Sequence, residues 1–507
     1  MSPATQSQPH DPAPGRAGLV PRSASTSLAE QLAARFAERI GQRLLAPGAR
    51  LPSVRDCAQR HGVSPSTVVG AYDLLQARGL VQARPQRGFF VRDAVRDAVR
   101  DAVRDAVRDA VRDAGRDGAR HAAGLPAAEA QRDPAPLPAP VDATALIRSM
   151  FQAQGGLPAP GMGTLPEAWL DATLLQRTLR RVCQQPQAWL RYGDPAGNVP
   201  LRHALVQRLA DLGVQANAAQ IVTTVGATHA LDLVSRTLLQ PGDAVLVDEP
   251  GWAVEYARLT RLGMRLLPVP RGEHGPDLAV MEALLRAHRP RLYVTVSVLH
   301  NPTGHSLTPA GAHQLLQLAE AHDLTIVEDD TYSWLAPPHA TRLAQLDGLR
   351  RTVYISGFSK ILTPQWRVGY VAAAPALAER LIDTKLLSTL TTPGPLEEAV
   401  GLCLQQGLLR RHAERIVTRL DAARARTVRL AQAAGCRFVT PPAGLFGWVD
   451  VGCDTEALAQ QLLDEGWLIA PGTLFHATPR PTSLMRVNFA TTQDARFWQR
   501  LQALRQD

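Results

Sequence analysis

Residues 356–370 read SGFSKILTPQWRVGY and contain Lys360, one of only two lysines in a chain of 507 residues. An apolar, strand-like run precedes Lys360, and the residues that follow it are typical of a loop. The second lysine, Lys385, lies in LIDTKLLSTL, a helical pattern. Chemistry that requires a side-chain primary amine therefore has two candidate residues, and only Lys360 lies between a strand and a loop.

Around this stretch, apolar runs alternate with helical stretches from about residue 144 to residue 507. The runs typical of strands are residues 220–224, 244–248, 292–298, 325–328, 352–356 and 368–372. This alternation predicts a large α/β domain with a mainly parallel sheet. Residues 144–507 suffice for a main lobe and a smaller C-terminal lobe, and the whole chain is long enough to be multidomain.

The amino-terminal part predicts a small α+β domain over residues 28–91. Residues 1–27 are rich in Pro, Ser, Ala and Gln and are expected to be a disordered tail. A first helix is indicated by apolar residues at helical spacing, namely Leu28, Leu32, Phe36 and Ile40. Two more helices are predicted around a turn at residues 61–63, with Ser64 as N-cap and Pro65 in the first helical position. LVQARPQRGFFV, which ends the segment, is typical of a hairpin.

A linker is predicted over residues 92–143. The tetrapeptide Val-Arg-Asp-Ala repeats from Val91 to Ala114. Four residues advance a helix by about 400°, so the valines drift around the axis and do not form one apolar face. The repeat is therefore interpreted as a semi-rigid spacer, and a functionless expansion tolerated in a linker is an equal alternative.

Charge distribution indicates an anionic partner. The formal net charge is +9, and residues 28–91 hold nine arginines against four acidic residues. No run of 18 apolar residues and no secretory signal is found, which favours a cytoplasmic protein that does not enter membranes. The five cysteines are scattered without a CxxC pair, so neither a disulfide framework nor a metal site is expected.

The segment 28–91 resembles the winged helix-turn-helix of GntR-type regulators, through LAPGARLPSVRDCA, GVSPSTVVGAYDLL and GLVQARPQRGFFV. The resemblance implies binding to double-stranded DNA, with hydroxyls at a helix N-terminus facing the major groove and arginines, Arg84 among them, on phosphates. The residues it assigns to DNA are Ser53, Arg55, Ser64, Ser66, Thr67, Arg87 and Gly88. Pro65 stands where the family often has an arginine, so guanine recognition from that position is in doubt.

A series of motifs between residues 145 and 500 resembles fold-type I transferases that use pyridoxal phosphate (PLP), and in particular the MocR subfamily of GntR regulators. The resemblance implies that Lys360 is the Schiff-base lysine. It implies that Asp329 of IVEDDTYSWL pairs with the ring nitrogen, with the adjacent Asp330 as the alternative. Tyr332 and Asn301 of HNPTG would contact the ring phenolate, and the peptide before Pro302 is a candidate cis bond.

Further motifs are expected around the phosphate and the substrate. Gly226, Ala227 and Thr228 follow a strand and open a helix, where backbone N–H groups can bind phosphate. By resemblance, Arg367 and Ser359 also contact phosphate, Trp252 stacks on the ring, and Tyr192 reaches the phosphate of a second subunit in a homodimer. Gly357 replaces the family's usual serine or threonine, so one phosphate contact is either missing or moved to Ser356. Arg486 would bind a substrate or effector carboxylate.

Two functions follow from these motifs. The first is a transcription regulator whose PLP domain senses PLP, or an amino acid or amine, and changes how the dimer engages DNA. The second is an active PLP-dependent aminotransferase that carries an accessory DNA-binding domain. A third option is a cofactor-free fold that serves dimerisation alone. Transamination itself is left open, because the lysine and its partners are retained.

Overall fold

The computed structural model describes residues 27–41, 45, 48–84, 87–92, 158–184, 190–478 and 480–505. Apart from their end residues, the expected tail (1–27) and linker (92–143), including the repeat, lie outside the described residues. The chain divides into two compact units, one amino-terminal and one large.

The amino-terminal unit has three helices and a hairpin. They are α1 (Leu28–Gly41), α2 (Val54–His61), α3 (Pro65–Ala77), β1 (Val81–Arg84) and β2 (Gly88–Val91). The Ser64 hydroxyl accepts a hydrogen bond from Thr67 N, and Pro65 occupies the first helical position, as predicted. Apolar side chains of all five elements form one core, in which Tyr72 packs between Phe36 and Phe89.

An eight-stranded sheet forms the main lobe of the large unit. Its strands are β3 (Ile221–Thr224), β4 (Ala244–Glu249), β5 (Arg265–Gly272), β6 (Gly275–Pro276), β7 (Leu292–Thr295), β8 (Thr325–Asp329), β9 (Thr352–Gly357) and β10 (Gly369–Ala372). Their order is β3-β10-β9-β8-β7-β4-β5-β6. The strands from β9 to β5 are parallel, as predicted, whereas β10 is antiparallel to both its neighbours and β6 is antiparallel to β5.

Helices pack around this sheet and bury its apolar side chains. They are α4 (Ala172–Cys183), α5 (Val199–Asp211), α6 (Gly226–Leu238), α7 (Ala253–Arg261), α8 (Leu278–His288), α9 (Pro309–Ala321), α10 (Leu343–Asp347), α11 (Pro375–Thr389) and α12 (Gly394–Gln405). Several begin at a side-chain cap, for example Asn198 before α5, Asp277 before α8 and Thr308 before α9. No helix among the described residues is long and apolar enough to cross a membrane.

The C-terminal lobe is a four-stranded antiparallel sheet packed with helices. Its elements are α13 (Leu408–Ala433), β11 (Arg437–Phe438), β12 (Phe446–Asp450), α14 (Thr455–Asp464), β13 (Ala470–Pro471), β14 (Leu484–Asn488) and α15 (Ala495–Leu504), with strand order β11-β12-β14-β13. One apolar core continues from this lobe into the main lobe. The carboxyl ends of the parallel strands of the main lobe meet at one edge of its sheet, where ligands bind in open α/β folds.

Candidate cofactor site and DNA interface

Lys360 lies just beyond β9 with its amine in the interior. Nζ donates a hydrogen bond to the carbonyl of Gly163 at 2.8 Å. Burial, and then the nearby Arg486 guanidinium, lower the pKa of Lys360 to about 8. A much larger fraction of this amine than of an ordinary lysine is therefore neutral near physiological pH, and the neutral form is the one that attacks a carbonyl group.

Lys385 has a different environment. It is fully buried on α11, where Nζ donates to the Thr223 hydroxyl at 3.3 Å. It lies near Glu397, which interacts favourably with its charge. Lys385 thus ties α11 to β3.

Asp329 closes β8 as a buried carboxylate. It accepts hydrogen bonds from the backbone N–H of Thr331, at 3.0 Å, and from the hydroxyl of the same residue. No ion pair among the described residues includes Asp329. Burial raises the pKa of its carboxyl to about 6. Asp329 is therefore a buried acid without an ion-pair partner among the described residues, and the cation that its charge favours is Lys360.

Asp330, the alternative considered for the same role, is occupied elsewhere. Its Oδ2 accepts from Arg342 Nε at 2.6 Å and from the Tyr354 hydroxyl at 2.8 Å, in a fully buried ion pair. Successive residues of a strand face opposite sides, so Asp329 and Asp330 point into different surroundings.

Tyr332, Asn301 and Arg486 form a connected group. Tyr332 is buried edge-on against Phe446, with ring centroids 5.5 Å apart, and its hydroxyl is within hydrogen-bonding reach of Asn301. Burial raises the pKa of Tyr332. Arg486 Nη1 donates to Asn301 Oδ1 at 2.9 Å. The peptide before Pro302 is cis, as predicted.

Arg486 is a buried guanidinium held by neutral groups. Its Nη2 donates to the carbonyl of Gly161 at 2.7 Å, and its Nε has no hydrogen-bond partner within the described structure. The rings of Phe446 and Phe475 lie 4.4 and 5.0 Å from it. Burial lowers the pKa of Arg486 to about 10. Because no carboxylate of the described chain pairs with this cation, an anionic ligand would be stabilised here.

The first turn of α6 faces Arg367. Gly226 has φ +75°, and a Cβ there would lie 2.5 Å from Arg367 Nη2, so glycine is required. Arg367 Nη1 donates to Ser359 Oγ at 3.0 Å. The N-terminal N–H groups of α6, which no side chain caps, thus lie beside a guanidinium and a hydroxyl. This combination suits a phosphate group.

Ser356 does not take the place of the missing serine at Gly357. A Cβ on Gly357 would lie 3.6 Å from Ala227 N, on the side of the α6 N-terminus. The Ser356 hydroxyl donates instead to the carbonyl of Asp330 at 2.8 Å. The suggestion that the contact moves to Ser356 is therefore wrong, because neighbouring residues of β9 face opposite sides of the sheet.

Trp252 lies immediately before α7 and is half-buried. Together with Asp329 and Glu255 it lines a pocket with about 350 Å³ of empty space at the end of β4 and β7. Glu255, which pairs with Arg258, was not predicted as a site residue, since an acid within a helical pattern carries no specific signal. The carbonyls of Gly161 and Gly163 were also missed, because backbone groups leave no mark in a sequence.

Tyr192 is a predicted cofactor residue that the single chain does not bring into the site around Lys360. Its side chain is 83% exposed and forms no hydrogen bond within the described structure. Its loop packs against the turn between α11 and α12, since a Cβ on Gly193 would lie 3.8 Å from Thr392 O. Leu190, Leu387 and Leu390 are further exposed apolar residues of these segments.

The predicted DNA residues form two groups on the amino-terminal unit. Three hydroxyls, those of Ser64, Ser66 and Thr67, cluster at the start of α3, with Ser64 Oγ 2.8 Å from each of the other two. Ser53 caps α2 and is bonded to Asp56, while Arg55, in the first turn of α2, is exposed. Arg87 lies in the turn of the hairpin, and Gly88, which has φ +96°, begins β2.

Arg50 joins this surface although it was not predicted to. Its backbone bridges to Phe90, and its Nε lies 3.4 Å from the place of a Cβ on Gly88. It is exposed and has no ion-pair partner within the described residues. Arg84, in contrast, stacks on the Phe90 ring at 4.5 Å. Arg50 reaches this surface through a backbone bridge to a residue 40 positions further along the chain, and residue spacing in the sequence does not reveal such a pairing.

Comparisons with known proteins agree with this architecture. Residues 159–504 match the family model "Aminotransferase class I and II", and residues 28–91 match "Bacterial regulatory proteins, gntR family". The HTH-type transcriptional regulator YdcR of Escherichia coli is 30% identical over 482 residues, which are 91% of this chain and 94% of YdcR. The 2-aminoadipate transaminase of Thermus thermophilus is 32% identical over 349 residues, 66% of this chain and 84% of that enzyme.

Among solved structures, the α-aminoadipate aminotransferase LysN of Thermus thermophilus, complexed with a phosphopyridoxyl-leucine, superposes with a TM-score of 0.64. It is 25% identical, and the match covers 71% of this chain and 95% of LysN. The fold and the two family matches thus define a helix-turn-helix regulator with an appended aminotransferase-like domain. The chain belongs to the GntR-type regulators of the MocR-like architecture, in which a GntR domain precedes an aminotransferase class I and II domain.

The cofactor expected from the sequence, pyridoxal phosphate, is confirmed by membership of the aminotransferase class I and II family. The residues present fit it. The buried carboxylate of Asp329, which has no ion-pair partner among the described residues, suits a protonated ring nitrogen, and the α6 N-terminus with Arg367 suits the phosphate. Among the described residues no cluster of His, Cys, Asp and Glu is arranged to hold a metal ion.

Proposed function

We propose that this GntR-type DNA-binding regulator senses an α-amino acid through its PLP domain and transmits the result to its DNA-binding unit. The observation that carries the proposal is an interior amine close to a buried guanidinium, those of Lys360 and Arg486, neither of which is paired with a carboxylate among the described residues. An amino acid brings an amine for the coenzyme and a carboxylate for Arg486, so one small molecule satisfies both needs.

In this proposal the chain's own residues bind and orient the coenzyme. Lys360 would be the covalent attachment point, Asp329 would hold a proton on the ring nitrogen, and Tyr332 with Asn301 would contact the phenolic oxygen. Trp252 would lie against the ring, and the backbone of Gly226, Ala227 and Thr228 would bind the phosphate with Ser359 and Arg367. When bound, the coenzyme supplies an aldehyde and an electron-withdrawing ring.

The effector carboxylate would displace neutral partners of Arg486. Asn301 Oδ1 and the carbonyl of Gly161 accept hydrogen bonds from the two terminal nitrogens of Arg486. A carboxylate gives a bidentate, charge-assisted pair in their place, and it frees Asn301 for Tyr332 and the ring. Binding at Arg486 and contacts at the ring are therefore coupled through a single side chain.

DNA recognition would use the surface around α3 and the hairpin. Ser64, Ser66 and Thr67 present hydroxyls and backbone N–H groups to a groove, while Ser53, Arg55, Arg87 and Gly88 contact the backbone. We add Arg50 to this set, because its guanidinium lies beside the hairpin turn. A homodimer, with Tyr192 completing the phosphate site of the other subunit, and a cytoplasmic location belong to the same proposal.

The test is DNA binding to the region upstream of the protein's own gene, measured with PLP alone and then with a panel of amino acids and amines. We expect binding by the PLP-loaded protein and a change in affinity with at least one amino acid. Arg486→Gln should retain DNA binding and lose the response. Arg55→Gln should weaken DNA binding, whereas Arg78→Gln, which removes an exposed arginine at the far end of α3, should not. An amino acid response unchanged in Arg486→Gln would refute sensing through this site.

The second candidate is an aminotransferase with an accessory DNA-binding domain. It is favoured by the low pKa of Lys360 and by the similarity to the 2-aminoadipate transaminase. Turnover of amino acids with 2-oxoglutarate on the order of 1 per second or faster would support it, because that is an ordinary enzymatic rate. Single-turnover half-reactions alone would support the sensor. An absorbance band at roughly 420 nm, typical of PLP imines, that disappears in Lys360→Ala would exclude the cofactor-free alternative.

A further inference from the structure

A groove on the large unit lies outside the cofactor site. It runs between α4, α12 and the start of α13 and contains about 500 Å³ of empty space. Its floor is apolar, formed by Leu174, Leu402 and Leu408. We call it the α4–α13 groove.

Arginines rim this groove without neutralising partners. Arg177 and Arg181, one helical turn apart on α4, line it directly. Arg411 adjoins it, since its Nη2 lies 3.5 Å from the carbonyl of Gln406, another residue of the wall. All three are exposed, and none takes part in an ion pair among the described residues, unlike Arg415, which pairs with Asp171 at 3.1 Å.

The large segment as a whole carries little net charge. Residues 158–507 contain 34 Lys and Arg against 31 Asp and Glu, a surplus of three positive charges. The α4–α13 groove, in contrast, has three guanidinium groups and no acidic residue among its lining. Exposed guanidinium groups at this density repel one another, and a polyanion relieves that repulsion.

We infer that the α4–α13 groove binds the phosphate backbone of duplex DNA next to the operator. The inference rests on the proposed function, because the molecule must already be held on DNA by its amino-terminal unit. Guanidinium groups pair well with phosphates. The 65 residues from 93 to 157 that connect the units could span at most roughly 220 Å, so chain length does not prevent both units from reaching one duplex.

The experiment compares two duplexes from upstream of the protein's own gene. The short one is the minimal fragment whose binding depends on Arg55, and the long one extends it by 20 base pairs on each side. We expect the full-length, PLP-loaded protein to bind the long fragment more tightly and with a steeper salt dependence. In Arg177→Gln/Arg181→Gln the extra affinity should fall, while binding to the short fragment stays the same.

The magnitude follows from counterion release. Each phosphate contact contributes a slope of about −0.9 in log affinity against log salt. The wild type makes two phosphate contacts that the double variant lacks. A fourfold rise in salt concentration should therefore reduce the affinity of the wild type for the long fragment about 12-fold more than it reduces the affinity of the double variant. Arg261→Gln/Arg291→Gln, which removes two exposed arginines elsewhere on the large unit, should match the wild type.

Other outcomes separate this inference from the proposed function. If neither fragment binds, the proposed function fails. If the short fragment binds and extension adds nothing, or the control loses as much as the groove variant, the groove does not contact DNA while the proposed function stands. Dissociation of Arg177→Gln/Arg181→Gln into monomers would make the groove a subunit contact, and loss only of binding to vesicles with anionic lipids would make it a membrane contact.

Discussion

Two adjacent acids at the end of β8 lie in different surroundings in the large unit. Asp330 is paired with Arg342 and Tyr354, so removal of its charge would leave the buried Arg342 guanidinium without a carboxylate partner. Asp329 has no ion-pair partner among the described residues, so its charge opposes folding until a ligand supplies a cation. The difference arises because consecutive strand residues point to opposite faces.

Substitution by asparagine should separate these roles. Asp330→Asn breaks a buried ion pair and should lower the free energy of unfolding by about 3 kcal/mol. Coenzyme-free Asp329→Asn should be at least as stable as the wild type at pH 7.5 in urea unfolding. The folded-state pKa of Asp329 is raised to about 6, so its ionisation destabilises the fold as the pH rises through that value.

The same Asp329→Asn variant should bind PLP at least about tenfold more weakly, because it loses a charge-assisted hydrogen bond to the ring. Titration of absorbance near the coenzyme band measures this. Equal affinity in the two proteins would contradict the assignment of Asp329.

Lys360 should give coenzyme attachment a characteristic pH dependence. The neutral amine reacts, and the pKa of Lys360 is lowered to about 8. The attachment rate, followed by stopped-flow absorbance in the coenzyme-free protein, should therefore rise with pH and level off just above pH 8. A rate that continues to rise towards pH 10, as for an ordinary lysine, would be inconsistent with this environment.

At the scale of elements, the spacing of apolar residues and the local composition predicted the alternation of strands and helices and the capped start of α3. They did not predict the direction of every strand. The run at 368–372 was recognised as a strand, yet it is antiparallel to both neighbours. Strand direction depends on how the chain returns after Lys360, which a local pattern does not contain. The alternation within β9, by contrast, already placed Ser356 and Gly357 on opposite faces, and could have excluded Ser356 from the phosphate site.

The contact between the α6 N-terminus and Arg367 predicts the effect of one methyl group. In Gly226→Ala the new Cβ meets Arg367 and the backbone must hold φ +75°. That conformation costs an alanine about 1–2 kcal/mol. We expect PLP affinity to fall about tenfold or more in absorbance titrations.

The matched control is Gly394→Ala at the first position of α12, where an added Cβ meets no atom within 4 Å. This variant should bind PLP as the wild type does. Equal losses in both variants would show that helix starts in general, and not this contact, limit the affinity.

At the scale of the whole molecule, the sequence predicted both units and the residues that converge on Lys360. A single chain, however, brings together only part of the predicted cofactor site. Four of these residues come together although they lie far apart in the chain, with one contact joining positions 185 residues apart: Asp329, Asn301, Tyr332 and Arg486. Only the resemblance of the ordered motifs to a known family could predict this convergence. Tyr192 stays in solvent on the same chain. Completion of the site by a second subunit is the physical reason we propose for this difference.

Exposed apolar residues in the two segments that meet next to Tyr192 allow that proposal to be tested. Leu390→Glu places a charge next to the turn against which the Tyr192 loop packs, at a residue that is 51% exposed, and should shift the protein from dimer to monomer in sedimentation velocity. Leu346→Glu, at a leucine that is 50% exposed on α10, should remain dimeric. A dimeric Leu390→Glu variant would place the subunit contact elsewhere.

The scarcity of lysine has a practical consequence for chemical labelling. Lys385 is fully buried on α11. Among the described residues of the large unit, Lys360 is therefore the one side-chain amine that carbonyl reagents can reach. Borohydride treatment of the PLP-loaded protein should therefore leave one pyridoxyl group per chain, on the peptide containing residue 360, visible by mass spectrometry. Such a stoichiometric tag would count intact sites in any variant without an activity assay.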